Sequence, residues 1–144
     1  MVHHRETFTV TTDSPCFDVE AIHAYLTKSY WCAGIPKATV ERAIENSLCF
    51  GLFDGPEQIG FARVITDRAT YGYLADVYVL EEYRGRGLAA WLMECICAHS
   101  DLQGLRRFAL ATRDAHGLYR KFGFTVLGDP SKHMEIFRQG IYEQ

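Results

Sequence analysis

The sequence is poor in the features that mark membrane, secreted and nucleic-acid-binding proteins. None of the apolar runs in its 144 residues approaches the ~18 residues that a membrane-spanning helix needs. Residues 1–7 lack the apolar core of a secretory signal. The formal net charge is −3, so the chain lacks the basic excess that binds nucleic acid. We therefore expect a soluble protein with no membrane partner and no nucleic-acid partner.

The cysteines provide neither a disulfide framework nor a metal site. Their number, five, is odd, and their spacings fit no disulfide scaffold. Cys95 and Cys97 lie two apart in a helical stretch, where side chains diverge instead of sharing a metal. The six histidines form no His-Glu-x-x-His motif. We expect no metal, a reducing cytoplasmic location, and structural or incidental thiols at Cys16, Cys32, Cys49, Cys95 and Cys97.

The chain does contain enough apolar material for one core. Hydrophobic residues make up 48% of the chain and aromatic residues 13%, which argues against a disordered protein. We expect a single domain over residues 1–144. Its first half predicts a strand at 7–11, a helix capped by Asp18, a helix that begins at Pro36, an antiparallel hairpin of 48–53 with 58–66, and a strand at 71–80.

The second half predicts a helix at 88–99, a strand at 107–111, a short helix at 115–122 and two last strands at 124–127 and 133–137. Because strand, helix and strand follow one another from residue 71 to residue 111, the two strands should pair in parallel through a crossover. We expect an α/β (α+β) fold of three layers, in which helices cover both faces of a mixed sheet.

The most informative segment joins the strand 71–80 to the helix 88–99. Gly85 and Gly87 fall within three residues of each other, directly before the helix. The first amides of a helix have no partner inside it, and glycine lets the backbone approach a phosphate without a Cβ in the way. Arg84 and Arg86 add two positive charges. The segment predicts a pyrophosphate cradle, and the competing interpretation is an ordinary tight turn with solvated arginines.

Two other phosphate-binding motifs fit this segment less well. No Gly-Lys-Ser/Thr follows, which excludes a P-loop. Gly85, Gly87 and Ala90 do satisfy the Gly-x-Gly-x-x-Ala pattern of dinucleotide-binding domains. However, only 54 residues follow Ala90, too few for a six-stranded dinucleotide domain, and the next strand ends at Thr112 instead of at an acid. A dinucleotide-binding oxidoreductase is kept as an alternative.

At these residues the sequence resembles the GCN5-related N-acetyltransferase (GNAT) superfamily. The acetyl-CoA signature of that family, Arg/Gln-x-x-Gly-x-Gly/Ala, is matched by Arg84, Gly87 and Ala89. Residues 77–79 look like the central fourth strand of the family, and the Leu-Tyr-x-x-x-Gly-Phe run that begins at Leu118 looks like its next helix and turn. The order and spacing of the elements fit from residue 7 to residue 137.

The resemblance implies a mostly antiparallel sheet of six to seven strands with a splayed cleft for acetyl-CoA. One main-chain amide there would serve as the oxyanion donor. Many family members carry an Asn at the position of Thr112, and a hydroxyl replaces only part of the hydrogen bonding of an amide. The expected cofactor-binding residues are Val77, Tyr78, Val79, Arg84, Gly85, Arg86, Gly87, Leu88, Ala89 and Thr112.

The resemblance also implies metal-free transfer of an acetyl group to a primary amine of a small molecule or peptide, by direct attack in a ternary complex. It makes Tyr119 the general acid at the CoA sulfur, and the alternative is a tyrosine that packs in the core. Asp76 is the only acid in the strand 71–80. It is a candidate general base or ammonium anchor, and a structural ion pair or deprotonation through water are the alternatives.

We expect the acceptor pocket at the loop between the first two helices. Tyr30 and Trp31, next to Gly34 and Pro36, suit a loop that packs aromatic rings over a cleft. The alternative is that Trp31 plugs the edge of the core. An aromatic wall would suit an amine with an apolar or cationic part.

Two further expectations concern function and assembly. The alternative function is a catalytically silent acyl-CoA-binding module with the same fold. A homodimer is expected only because such proteins often form one, and residues 135–144 are apolar enough either to pair with another subunit or to finish their own sheet.

Overall fold

Six strands form one sheet in the computed structural model, which describes residues 1–143. The strands lie side by side in chain order, and all neighbours are antiparallel except the last pair, which is parallel. The strands are β1 (Val2–Arg5), β2 (Phe8–Thr11), β3 (Leu48–Asp54), β4 (Glu57–Thr66), β5 (Tyr71–Val79) and β6 (Arg107–Leu110). The α-helices are α1 (Val19–Leu26), α2 (Lys37–Glu45), α3 (Leu88–Ala98) and α4 (His116–Arg120).

Helices cover both faces of the sheet because both faces are apolar. On one face, Phe50 and Leu52 of β3 belong to the buried core that includes α3. On the other face, Phe61 of β4 and Tyr78 of β5 belong to a second core with Ile22 of α1. Six of the seven residues of β3 are therefore buried, and the strand shows no polar alternation. The expected three-layer α/β fold is confirmed.

The crossover expected between the fifth and sixth strands is present. β5 and β6 pair in parallel from Tyr71 with Arg107 to Leu74 with Leu110. The helix between them, α3, buries six of its 11 residues, including Trp91. None of the helices within residues 1–143 is long and apolar enough to cross a bilayer.

The prediction of two strands near the end of the chain is wrong. Residues 124–127 and 133–137 have no strand pairing, because no strand within residues 1–143 lies beside them. Conversely, the sequence does not predict β1, because its four residues are all exposed and show no alternation of apolar and polar side chains. It forms because the chain turns at Glu6, which has a φ of +55°, and lays Val2–Arg5 against β2.

Candidate active site

The junction between β5 and α3 exposes backbone. Gly85 and Gly87 have φ values of +80° and +74°, in the left-handed region that glycine adopts without steric cost. A Cβ added to either would meet no atom within 4 Å. Gly87 is the N-cap of α3, and no side chain among residues 1–143 caps the helix, so its first amides are available to an anion. A pocket of about 230 Å³ lies at this junction.

The two arginines of the junction differ in their contacts. Arg84 donates from Nε to the Val79 carbonyl oxygen at 3.1 Å and from Nη2 to the Tyr25 hydroxyl at 3.1 Å. These bonds tie the end of β5 to α1. The Arg86 guanidinium lies 5.4 Å from the centre of the Tyr83 ring. Both arginines leave positive charge beside the helix N-terminus, but Arg84 is also a structural tie.

Beyond this junction, β5 and β6 separate. Their pairing ends at Leu74 with Leu110, so residues 75–79 of β5 face an opening where β6 would continue. The Leu80 amide donates to the Ile59 carbonyl oxygen on the β4 side at 2.8 Å. Because amide directions alternate along a strand, the amides of Val79 and Val77 point towards the opening. An extended ligand could pair with them there.

A β-bulge in β5 places Asp76 against the loop between α1 and α2, beside this opening. The pairing of β4 with β5 shifts between Phe61 and Arg63, and Asp76 has a φ of +57°. Its Oδ2 accepts from Arg63 Nε at 2.8 Å and its Oδ1 accepts from Trp31 Nε1 at 2.9 Å. Both side chains of the ion pair are largely buried. The Asp76 carboxylate therefore has a partner on each oxygen.

The loop between α1 and α2 forms an aromatic wall over the cleft. Tyr30 and Trp31 meet edge to face, with ring centroids 5.1 Å apart, and both are exposed. Trp31 thus lines the cleft instead of plugging the core. The Arg113 guanidinium lies 3.8 Å from the centre of the Tyr30 ring, so the loop after β6 contacts the wall.

Tyr119, on α4, lines the same cleft. Its ring is buried and meets Phe124 edge to face at 6.0 Å. Burial, together with the nearby Tyr30 hydroxyl and Asp114 carboxylate, raises the pKa of Tyr119. The phenol therefore stays protonated at neutral pH and can donate a proton into the cleft.

The aromatic wall, Asp76, the free edge of β5 and Tyr119 line one cleft of about 1710 Å³, and the glycines of the junction line the small pocket beside it. The acetyltransferase (GNAT) family model matches residues 13–124, which is most of the chain. The chain belongs to the GNAT family. The mixed, mostly antiparallel sheet of this GNAT chain also differs from the parallel sheet of a dinucleotide-binding domain, which removes that alternative.

Known proteins resemble this GNAT chain over most of its length. A crystal structure of a GNAT-family protein from Xanthomonas campestris pv. campestris, described as an acetyltransferase, is 49% identical, covers 98% of this chain and 100% of its own, and has a TM-score of 0.94. A Gibberella zeae protein named as an acetyltransferase is 35% identical, over 81% of this chain and 78% of its own.

A crystal structure from Clostridium acetobutylicum, solved with acetyl-CoA, shares the fold of the GNAT chain. Its TM-score is 0.65 at 15% identity, and the match covers 95% of this chain and 96% of that one. The family uses acetyl-CoA, and the open helix N-terminus and the separated strands of this chain fit such a ligand.

The structure brings most of the expected site residues of this GNAT chain together. The large cleft is lined by Tyr30, Trp31, Asp76, Val77, Tyr78, Val79, Arg84, Ala89, Thr112 and Tyr119. The adjoining small pocket adds Gly85, Gly87 and Leu88, whereas Arg86 lines neither space. The side chains of Tyr78 and Leu88 are buried in the two cores, so only their backbone could contact a cofactor.

Thr112 has a local structural contact. Its Oγ1 accepts from the Ala115 amide at 3.1 Å, at the turn that leads into α4. The hydroxyl proton is still free to donate, so a contact between Thr112 and the cofactor stays a prediction.

Sequence reasoning missed three residues of the GNAT site. Arg63 is the only charged residue inside the apolar run 58–66, and that lone charge is a signal for a buried partner. Tyr25, which stacks on Tyr78 with centroids 3.8 Å apart, looks in the sequence like any residue of an amphipathic helix. Arg113 stands in a polar turn, and its contact with Tyr30 depends on the fold alone.

The cysteines are unpaired, and burial shifts the pKa of two of them upwards. All five are free. Burial raises the pKa of Cys49 to about 12 and that of Cys95 to about 11. No cluster of three or more His, Cys, Asp or Glu within residues 1–143 could hold a metal ion.

Proposed function

We propose that this GNAT chain transfers the acetyl group of acetyl-CoA to a primary amine of a small molecule or peptide, by direct attack in a ternary complex. The observation that carries the proposal is the cleft between β5 and β6. Tyr119 and the aromatic wall line this cleft, and the uncapped N-terminus of α3 adjoins it at the small pocket. The helix N-terminus suits an anion such as a diphosphate, and Tyr119 suits the donation of a proton to a departing thiolate.

At the proposed cofactor end, backbone amides would bind the negative charge of the cosubstrate. The diphosphate of the cosubstrate would accept hydrogen bonds from the first amides of α3, with Gly85 and Gly87 allowing close approach. The pantetheine arm would lie along the free edge of β5 and pair with Val77 and Val79. The bound thioester supplies an activated acetyl group.

In the chemical step, the amine nitrogen forms a bond to the acetyl carbonyl carbon, and the bond from that carbon to sulfur breaks. An amide of the β5 edge donates to the carbonyl oxygen as negative charge develops on it, and removal of such a donor typically costs about 10²–10³ in rate. Tyr119 gives its proton to the departing sulfur, the attacking nitrogen loses a proton to water, and the Tyr119 phenolate then regains a proton from water.

The role that we propose for Asp76 is to position the loop between α1 and α2. Both of its carboxylate oxygens are engaged, by Arg63 and by Trp31, so it holds the aromatic wall against β5. We propose this positioning role in preference to that of a general base. The wall would then contact the apolar or cationic part of the amine, and its ring faces favour a cation.

The experiment that tests the function combines two measurements on the full chain. Calorimetry measures acetyl-CoA binding, and a free-thiol assay follows CoA release with amino acids, polyamines, aryl-amines and peptides with free N-termini. We expect binding and release that depends on one of these amines. Binding without acceptor-dependent release from any of them would favour the silent acyl-CoA-binding module. Absence of binding would contradict both.

We also propose a cytoplasmic location. The support is chemical, since five unpaired thiols persist most readily in a reducing compartment. Fractionation of the native host with an antibody against the chain tests it.

A further inference from the structure

Residues 134–137 turn their side chains against the usual order. Met134 is 97% exposed and Ile136 is 83% exposed, whereas Glu135 and Phe137 line the cleft. The alternation has the period of two that strands show, but a half-covered segment normally turns its apolar side chains inwards and its carboxylates to solvent. Burial of apolar area therefore does not explain why Glu135 lines the cleft, and such departures are expected at functional sites.

The carboxylate of Glu135 has no cationic partner within residues 1–143. Two other acids of the cleft do have one. Asp76 accepts from Arg63, and Asp114 Oδ2 lies 3.9 Å from a nitrogen of the neighbouring guanidinium. Glu81 and Glu143 also line the cleft, one in the turn before the small pocket and the other in the last turn of the described chain. The charge of Glu135 is thus available to a cation from solution.

Glu135 lies near Tyr73 of β5. Tyr73 also lines the cleft, and burial raises its pKa, with the nearby carboxylates of Asp76 and Glu135 adding to the rise. Tyr73 pairs with Ala109 of β6, so Glu135 lies beside the part of β5 where the two strands are still joined. The opening between the strands begins after that point, at residues 75–79. Glu135 therefore stands on the acceptor side, away from the proposed place of the thioester.

A nearby carboxylate does not suit the nitrogen that attacks. That nitrogen must be neutral when it forms its bond, and a negative charge beside it would favour the protonated, unreactive form. The separation along the strand points the same way, since Tyr73 and Val77 are four residues apart, about 13 Å in a regular strand. The cation that Glu135 could bind is therefore a second group of the acceptor, some distance from the reacting one.

The rings around Glu135 also favour a cation over an anion. Tyr30, Trp31 and Tyr73 line the same cleft, and aromatic rings attract cations to their faces. An acceptor with an apolar chain between two cationic ends would contact the rings along its length and Glu135 at its far end.

We propose that Glu135 binds a second, non-reacting cationic group of the acceptor, so that the acceptor is a diamine or another primary amine with a second positive charge. This inference rests on the proposed function, in which a primary amine accepts the acetyl group. It makes aryl-amines and amines with a single charge poor acceptors.

The test compares pairs of acceptors of equal length. The terminal diamines of butane, hexane and octane each have two cationic ends, and the amino alcohol of the same length has a neutral hydroxyl at one of them. The free-thiol assay on the full chain gives kcat/KM for each. We expect at least one diamine to exceed its amino alcohol about tenfold or more, the effect of one hydrogen bond to a charged group.

Glu135→Gln keeps the size of the side chain and removes its charge. Because Glu135 is exposed and belongs to neither core, the variant should fold. Its KM for the preferred diamine should rise about tenfold, so that the diamine and its amino alcohol become nearly equivalent. The matched control is Glu45→Gln, the same change on an exposed residue of α2 outside the cleft, which should keep the preference for the diamine.

Calorimetric titration of the same amines into the chain saturated with CoA measures binding without turnover, which separates this inference from the proposed function. Diamine binding that weakens in Glu135→Gln would support the role of Glu135 even if no amine led to CoA release, a result that would contradict the proposed function. Release from diamines and amino alcohols at equal kcat/KM would overturn the role of Glu135 and leave the proposed function standing.

Three further results would overturn the inference. The first is a wild type that binds no diamine, or binds each diamine no better than its amino alcohol. The second is an equal loss of the preference in Glu135→Gln and Glu45→Gln. The third is a fall of about 100-fold in kcat with both kinds of acceptor in Glu135→Gln, which would identify Glu135 as a general base.

Discussion

The two ends of the cleft differ in the kind of group that they offer to a ligand. At the end proposed to bind the cofactor, the available groups are backbone, namely the first amides of α3 and the unpaired edge of β5. At the end proposed to bind the acceptor, they are the side chains of three separate segments. Trp31 contacts Asp76, and Tyr30 contacts Arg113. Backbone contacts suit the parts that all acyl-CoA molecules share, such as the diphosphate and the pantetheine arm. Side-chain contacts can be changed by substitution, so they can adapt to a different acceptor substrate.

The difference also predicts how each end responds to mutation. Substitutions at the cofactor end should affect acetyl-CoA and leave the acceptor unaffected. Substitutions at the proposed acceptor end should do the opposite, and substitution of Tyr119 should affect the chemical step alone.

The largest effect is expected for Tyr119→Phe. Loss of a positioned general acid typically costs about 10²–10⁴ in rate, so kcat should fall at least about 100-fold. The KM for either substrate should change little, because the ring remains packed on Phe124. Steady-state kinetics measure this, with Tyr71→Phe, an exposed tyrosine of β5, as the control. An unchanged kcat would remove Tyr119 from the mechanism.

The pH dependence of kcat gives a second test of Tyr119. Because its pKa is raised above the ordinary value for tyrosine, ~10, the donor form persists through neutral and mildly alkaline pH. Activity should be lost only as the pH rises past about 10. A falling limb centred near pH 8 that disappears in Tyr119→Phe would contradict this assignment.

Gly87→Ala should impair only the cofactor end. With a φ of +74°, an Ala at this position is strained, and relief of the strain would move the helix amides away from the diphosphate. A hydrogen bond to a charged group is worth about 1.5–3 kcal/mol, so losing one should raise the Kd of acetyl-CoA about tenfold or more. Calorimetry measures the Kd.

Gly104→Ala is the matched control for this change. Gly104 also has a positive φ, +71°, and open space around its Cβ position, but it lies outside the cleft. It should lose comparable stability and keep its affinity for acetyl-CoA. Equal loss of affinity in both variants would show that the cradle at Gly87 has no special role.

Asp76→Asn should impair only the acceptor end. Asn tolerates the left-handed φ of this position and can still accept from Trp31, so the change removes mainly the charge that pairs with Arg63. We expect the acceptor KM to rise about fivefold, for a loss of about 1 kcal/mol, with a small change in kcat. A fall of about 100-fold in kcat would instead identify Asp76 as the general base.

The smallest effect is expected for Trp31→Phe, which keeps an aromatic ring but removes the donor to Asp76. A net hydrogen bond is worth about 0.5–1.5 kcal/mol, and ring contacts remain, so the acceptor KM should rise about threefold. The double variant Trp31→Phe/Asp76→Ala, compared with its two single variants, tests the coupling, because Ala lacks the oxygen that accepts from Trp31. Full additivity of the two effects would show that the bond between the two residues does not position the wall.

Some of the molecule is determined by local sequence. The glycines at 85 and 87, the apolar helix after them and the crossover to residue 107 follow from neighbouring residues, because turns, helix starts and amphipathic periods depend on short stretches of chain. For the same reason the sequence predicted a glycine turn directly before the start of α3, and that turn is confirmed.

Only the tertiary structure decided the rest. Arg63 and Trp31 meet Asp76 from segments 13 and 45 residues away, and Arg84 reaches Tyr25 across 59 residues. Residues 133–137 have a strand pattern but form no strand, because a ladder needs a neighbour that residues 1–143 do not supply. Periodicity reports what a segment can form, and the contacts between distant segments determine what it does form.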